Sequence, residues 1–286
     1  MTRHILITDS GVGGLSVCAY AEQFVRMTGA ADDVRLTFAN AAPANDYGYN
    51  SMPSREAKIE TFDRFLNNVT ERYAPDMIYV ACNTLSVLLP DTPYCHNAKI
   101  PIKGIVETAV ELLMRGLATN PRSVAMIFAT QTTIDAGAYP RMLKERGIDD
   151  ARIVTQACPG LADTISEDRE GTKTKAEIER WVRSAVAKMR DASAPVVACL
   201  ACTHYGYRKS VFEAALPHAT VINPNERAVN DLFEAKGGSK HDASVRFITR
   251  YAIPPATIDA LTFFLEDISP KTVAAMKNFE HIPDLF

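Results

Sequence analysis

At 286 residues the chain is long enough for two ordinary domains of about 100 to 200 residues each. With 47% hydrophobic and 23% charged residues it has the balance of a folded globular protein with a sizeable core, which excludes a disordered chain. A formal net charge of −3, with both signs spread along the sequence, provides no positive field to gather phosphates, so no nucleic-acid partner is expected.

The first apolar run, residues 5–7, is too short for the core of a signal peptide and is followed at once by Asp9, so a cytoplasmic protein is expected. No stretch approaches the roughly 18 to 20 apolar residues that span a bilayer, which excludes membrane insertion. Short apolar runs then recur at residues 34–39, 77–81, 102–106, 124–129, 196–200 and 220–222, each followed by a small-residue turn and a helical pattern. Continuous apolar runs of this length are what strands buried on both faces look like, and their alternation with helices predicts an α/β fold with largely parallel sheets. Helices are predicted at residues 54–73 with Ser54 as N-cap, 108–118, 136–146 and 173–192. The last carries Ile178, Trp181, Val182, Ala185, Val186 and Met189 on one face. After Lys236 the run Gly237-Gly238-Ser239 reads as a flexible break, followed by two more helical stretches. This tail is too short and broken to fold alone. It is therefore expected to join residues 1–104 as part of the first lobe (1–104 with 223–286), leaving 105–222 as the second.

Three motifs carry chemistry. Asp9-Ser10-Gly11-Val12-Gly13-Gly14-Leu15-Ser16 leaves the first strand, where α/β folds bind ligands. It lacks the third glycine of a dinucleotide site, where Ser16 stands, and the Gly-Lys-Ser/Thr of a P-loop. The plainer reading is a turn in which Asp9 merely caps a helix. Ala81-Cys82-Asn83-Thr84 puts a cysteine where a strand passes into a helix, near unpaired N–H groups that lower a thiol's pKa and favour thiolate. Asn83 and Thr84 offer donors for a carboxylate there. Ala201-Cys202-Thr203-His204-Tyr205 repeats this logic in the second half, with a helix expected near Tyr207 and His204 available as base or proton relay. If the two lobes face each other, so do the two thiols, across a cleft.

The six cysteines, at 18, 82, 95, 158, 199 and 202, are too few for a disulfide scaffold and are expected as free thiols. Cys199 and Cys202 form a Cys-x-x-Cys, but no second pair completes a zinc site, so no metal is expected and Cys199 reads as a small core residue. A Cys-His hydrolase is a rival from another enzyme class. Of the histidines at 4, 96, 204, 218, 241 and 281, only His204 lies in a motif. A non-enzymatic pair of ligand-binding lobes is a second rival, opposed by the two cysteines and the missing signal peptide.

At these motifs the sequence resembles the glutamate racemase family, whose Asp-Ser-Gly-Val-Gly-Gly-Leu, Ala-Cys-Asn-Thr and Cys-Thr-His-Tyr stand here at 9–15, 81–84 and 202–205. Weaker matches are Tyr47-Gly48, residues 104–107, Ala129-Thr130 with Thr133, and Cys158-Pro159. The resemblance implies two pseudosymmetric α/β lobes with the active site in the cleft between them, and racemisation of an amino acid, glutamate first, without pyridoxal phosphate or another cofactor. It implies Cys82 and Cys202 as the two bases with Asp9 and His204 as helpers. Ser10, Asn83, Thr84 and Thr203 would bind the α-amino and α-carboxylate groups, with Thr130 and Thr133 also at the substrate, and Tyr47-Gly48 would contact the distal carboxylate. A cytoplasmic homodimer that supplies D-glutamate for peptidoglycan goes with the resemblance. The sequence departs from the family at Asp46 and Gly206, where proline is usual, and at Ser166, where glutamate is usual and Glu167 comes one residue late. These departures leave aspartate or another amino acid as the alternative substrate.

Overall fold

The apolar runs become strands whose residues are buried almost without interruption. In this computed structural model, which describes residues 2–28, 33–233 and 242–286, they are β1 (Arg3–Asp9), β2 (Val34–Asn40), β3 (Met77–Val80), β4 (Ile102–Gly104), β5 (Val124–Ala129), β7 (Val196–Ala201) and β8 (Thr220–Ile222), with β6 (Ile153–Ala157), β9 (Ala243–Thr249) and β10 (Glu280–His281) in addition. The predicted break at Gly237-Gly238-Ser239 lies outside the described residues. No helix among the described residues is long and apolar enough to cross a membrane.

The chain divides into two compact units, one of Met1–Ile105 with Asn225–Phe286 and the other of Val106–Pro224. The first holds a sheet in the order β10-β9-β2-β1-β3-β4 and the second a sheet in the order β6-β5-β7-β8, with every pairing parallel. The order β2-β1-β3-β4 in one matches β6-β5-β7-β8 in the other. Helices flank both sheets, as the α/β pattern requires, because a parallel sheet has two apolar faces to cover. In the first unit Phe62, Phe65, Leu66 and Val69, from the helix Arg55–Tyr73, pack beside Leu6, Ile78 and Val80. In the second, Ile178, Val182 and Ala185, from the helix Thr172–Val186, pack beside Met126, Phe128 and Val154.

Several expectations are corrected. The tail does not begin with a helix: β9 pairs with β2 before the helices Pro255–Leu265 and Pro270–Lys277. The helix expected at 136–146 is two, Gln131–Asp135 and Ala138–Glu145, divided by Gly137 at φ +62°, a left-handed conformation that favours glycine. The helix expected at 173–192 ends at Val186. The strand expected at 102–106 stops at Gly104, where a Cβ would lie 2.8 Å from Ser86 Oγ. That hydroxyl instead accepts the Ile105 N–H at 3.2 Å and starts the helix Ile105–Ala118.

Candidate functional site

Strand order reverses at β1, with β2 on one side and β3 on the other, and a parallel sheet binds ligands outside the carboxyl ends of its strands at such a point. Asp9 ends β1 and Ser10 follows it. Ala81, just past β3, donates its N–H to the Thr8 carbonyl at 2.9 Å, so the segment carrying Cys82 runs beside the one carrying Ser10. The Ser10 hydroxyl lies 3.0 Å from the Cys82 sulfur. Cys82 is the N-cap of the helix Asn83–Ser86, and its sulfur accepts the Leu85 N–H at 3.5 Å. Asn83 and Thr84 are buried in the first turn, and Asp9 is buried as well.

Close packing keeps this corner narrow. A Cβ at Gly14 would lie 2.7 Å from Asp9 Oδ2, 2.9 Å from Asp9 Cβ and 3.1 Å from Ala81 Cβ. The expectation of a lowered Cys82 pKa is corrected by that burial. Loss of solvent, and then the Asp9 carboxylate, push the thiol up to about 12, against the smaller opposing pull of the Ser10 and Leu85 hydrogen bonds. These surroundings favour the neutral thiol of Cys82 over the thiolate.

Other residues of the first unit were missed in the sequence. Asn40, at the end of β2, donates from Nδ2 to the Tyr251 hydroxyl at 3.0 Å, and burial and then the Asp9 charge raise the Tyr251 phenol. Tyr49 is buried in the same core cluster as Cys82. Neither stands in a motif, and no spacing pointed to them. Tyr47 is 42% exposed and Asp46 is exposed, while Gly48 precedes the 3-10 turn Tyr49–Ser51.

The second unit repeats the pattern around β5, which has β6 on one side and β7 on the other. Thr130 follows β5 and caps the helix Gln131–Asp135, accepting the Thr133 N–H at 3.4 Å with the two hydroxyls 3.0 Å apart. Cys202 follows β7, which is paired with β5 through Ala129 and Ala201, and it opens the 3-10 turn Thr203–Arg208. An α-helix follows from Lys209, close to the start expected near Tyr207, and Tyr205 in the preceding turn is buried. Its ring stacks on Phe212 at 6.0 Å and its hydroxyl donates to the Cys158 carbonyl at 3.2 Å. His204 Nδ1 is 4.0 Å from the Cys202 sulfur, the outer edge of a sulfur hydrogen bond. Burial pushes His204 down to about 4, so its imidazole is neutral at pH 7 and can both accept and donate a hydrogen bond. Thr203 is buried beside it, and Cys199 is a fully buried core residue.

Gly206 packs closely against the Asn223 side chain, which would have to shift for a larger residue. A Cβ there would lie 2.6 to 2.9 Å from three atoms of the Asn223 side chain. Gly206→Pro should therefore lower stability by about 1–3 kcal/mol, the usual cost of forcing extra atoms into a packed site. Thermal unfolding checks this, and an unchanged melting temperature would mean that Asn223 simply turns aside.

Each unit thus presents a thiol just past the end of a buried strand, a titratable neighbour within the same turn or beside it, and hydroxyl and amide donors at the start of the following helical turn. A thiol with a nearby acid–base partner can move a proton, and the donors suit a carboxylate.

Residues 11–232 match the profile of the family described as Asp/Glu/Hydantoin racemase. Among relatives in sequence, the glutamate racemase of Shouchella clausii is 29% identical over 256 residues, 87% of this chain and 86% of that protein. The glutamate racemase of Symbiobacterium thermophilum is 27% identical over 240 residues, 82% of this chain and 80% of that protein. Among solved structures, the fold is similar to glutamate racemase from Francisella tularensis in complex with D-glutamate, with a TM-score of 0.73, 21% identity and 99% of each chain covered. A glutamate racemase isoform from Bacillus anthracis also gives 0.73, with 19% identity and coverage of 92% of this chain and 94% of that one.

Proposed function

Because this chain belongs to the Asp/Glu/hydantoin racemase family, we propose that it interconverts L- and D-glutamate with two of its own thiols as the acid–base pair. The observation that carries this reading is the repeat just described: Cys82 and Cys202 occupy equivalent places in two sheets of the same strand order. Inverting a stereocentre needs one group to take the α-proton from one face and another to return a proton to the opposite face, and a reversible reaction suits two groups of one kind. In this reading one thiolate removes the α-proton and becomes a thiol. The electron pair left on the α-carbon spreads into the substrate's carboxylate, where Ser10, Asn83, Thr84 and Thr203 donate hydrogen bonds, and the other thiol protonates the opposite face. Asp9 assists Cys82 and the neutral His204 assists Cys202, while Thr130 and Thr133 line the substrate and Tyr47 with Gly48 meets the distal carboxylate. Circular dichroism of single-enantiomer glutamate incubated with the enzyme alone tests the reading. A signal that decays to zero from either enantiomer supports it, and a constant signal for both rejects it. The reading includes a cytoplasmic homodimer that supplies D-glutamate for peptidoglycan, and light scattering at twice the chain mass checks the assembly.

Asp46 is the departure that bears most directly on the substrate. Its carboxylate stands next to Tyr47, and like charges within a few ångströms weaken binding unless screened. Asp46→Pro should lower KM for glutamate by roughly two- to five-fold, the size of a partly screened surface charge effect of under about 1 kcal/mol. Unchanged or weaker binding would remove Asp46 as a selectivity element, and faster turnover of aspartate than of glutamate by the natural protein would move the assignment to aspartate.

A further inference from the structure

The helix that follows Cys82, Asn83–Ser86, is a single turn. One turn fixes several residues for very few hydrogen bonds and does not hold itself, so its shape has to come from what it is tied to. Its last residue supplies the ties. The Ser86 N–H donates to the Cys82 carbonyl at 2.9 Å and the Ser86 hydroxyl donates to the Val80 carbonyl at 3.0 Å, so one residue grips the chain both at the cysteine and before it. The same hydroxyl accepts the Ile105 N–H at 3.2 Å, one of the donors that a helix start leaves without a partner inside the helix.

This clip is tight. Ser86 is buried, and its hydroxyl gives its single proton to Val80 and a lone pair to Ile105. Val80 ends β3 and pairs with Thr8 of β1 and Gly104 of β4, so the carbonyl that receives the proton belongs to a strand held on both sides. Gly104 leaves room for the hydroxyl and nothing more, since a Cβ there would lie 2.8 Å from Ser86 Oγ and 3.0 Å from Ser86 Cβ. From this anchor the turn reaches the sulfur directly. The N–H of Leu85, the residue before Ser86, donates to the Cys82 sulfur at 3.5 Å, and the Ser10 hydroxyl stands 3.0 Å from the same atom.

We infer that Ser86 is a positioning residue for the Cys82 base, its hydroxyl fixing the turn that aims the sulfur and carries the Leu85 N–H onto it. The inference rests on the reading of Cys82 as a base. With its proton on Val80, the Ser86 hydroxyl has none to give to a substrate, so it acts through the turn alone. Losing it leaves the Val80 carbonyl and the Ile105 N–H without this partner, and the turn has to move to satisfy them. A shift of about 1 Å in a reacting group costs on the order of a hundred-fold in rate. The effect falls on the steps that Cys82 performs and not on those of Cys202, whose turn, Thr203–Arg208, contains none of these groups.

Ser86→Ala in the full-length protein tests it, with the two thiols read one at a time. In the Cys202→Ser background, exchange of the α-proton of glutamate in heavy water is carried by Cys82, and at saturating substrate Ser86→Ala should slow it about 10- to 100-fold. In the Cys82→Ser background, where Cys202 carries the exchange, the same substitution should leave the rate nearly unchanged. Gly104→Ala pushes on Ser86 without removing a polar group, so it should reproduce the selective loss even if Ser86→Ala proves too unstable to purify. Ser86→Thr keeps the hydroxyl and should restore most of the rate. Hydrogen exchange at the Leu85 and Ile105 amides should quicken in Ser86→Ala, and unchanged exchange at both would show that the hydroxyl holds neither and overturn the inference. Equal losses in the two backgrounds would make Ser86 a general structural support and overturn it as well, as would no loss in either. A natural protein that exchanges neither enantiomer would reject the racemase reading and the inference with it, a result told apart from the others because it precedes any substitution.

Discussion

Replacing either Cys82 or Cys202 by serine should abolish racemisation, with kcat falling by at least about a thousand-fold, because a serine hydroxyl is too weak an acid to become a base near neutral pH. Both variants should fold, since serine is smaller than cysteine by a fraction of an ångström and each thiol lies beside hydroxyl or imidazole groups that can hydrogen-bond to it. The two losses should differ in one respect. In heavy water each remaining thiol can still exchange the α-proton of the enantiomer whose proton faces it, so the variants should retain exchange of opposite enantiomers. By resemblance to the glutamate racemase family, Cys82 should act on the D-enantiomer, and Cys82→Ser should lose D-exchange first. Substantial racemisation by either single variant would end the two-thiol mechanism and make His204 the residue to examine.

Gly14→Ala should have the second largest effect, and should reach the chemistry without altering any group that performs it. The added Cβ would fall 2.7 and 2.9 Å from Asp9 atoms and 3.1 Å from Ala81 Cβ, closer than real Cβ atoms approach in the first two cases. Asp9 is buried at the end of β1, with its carbonyl holding the Ala41 N–H at 2.8 Å, so it cannot swing away freely, and Ala81 leads directly into Cys82. A shift of about 1 Å in a catalytic group costs roughly a hundred-fold in rate, and overpacking costs about 1–3 kcal/mol of stability. Steady-state kinetics with thermal melts on the same preparation check both numbers. A variant that melts lower but turns over normally would show that Asp9 can move without consequence, and that it is not the helper of Cys82.

Reading positions from the chain worked where local pattern decides them. Asp9, Cys82 and Cys202 were expected where apolar runs end, and the strand termini are there. It failed on acidity: the helix start at Cys82 argued for an easily formed thiolate, whereas burial and Asp9 push the thiol the other way. It also missed Tyr49, which meets Phe62 edge-on in the core cluster that holds Cys82 and stands in no motif. β6 was overlooked because its residues alternate between buried and half-buried, with Thr155 and Gln156 interrupting the apolar run, as befits a strand at the edge of its sheet.

The sequence by itself determined the α/β alternation, the principal parallel strands, the helix Arg55–Tyr73 with its Ser54 cap, and the placing of both cysteines at strand ends, because each of these depends on the periodicity of residues near one another in the chain. Only the tertiary structure decided that β9 from the tail pairs with β2, that the sheets reverse their order at β1 and β5, that Gly206 packs against the Asn223 side chain, and that Tyr49 and Cys82 share one core. Strand pairing, desolvation and close packing depend on neighbours many residues away. Local periodicity records that a residue is buried, but not against what, and for a buried thiol the surroundings set the energy of its charge.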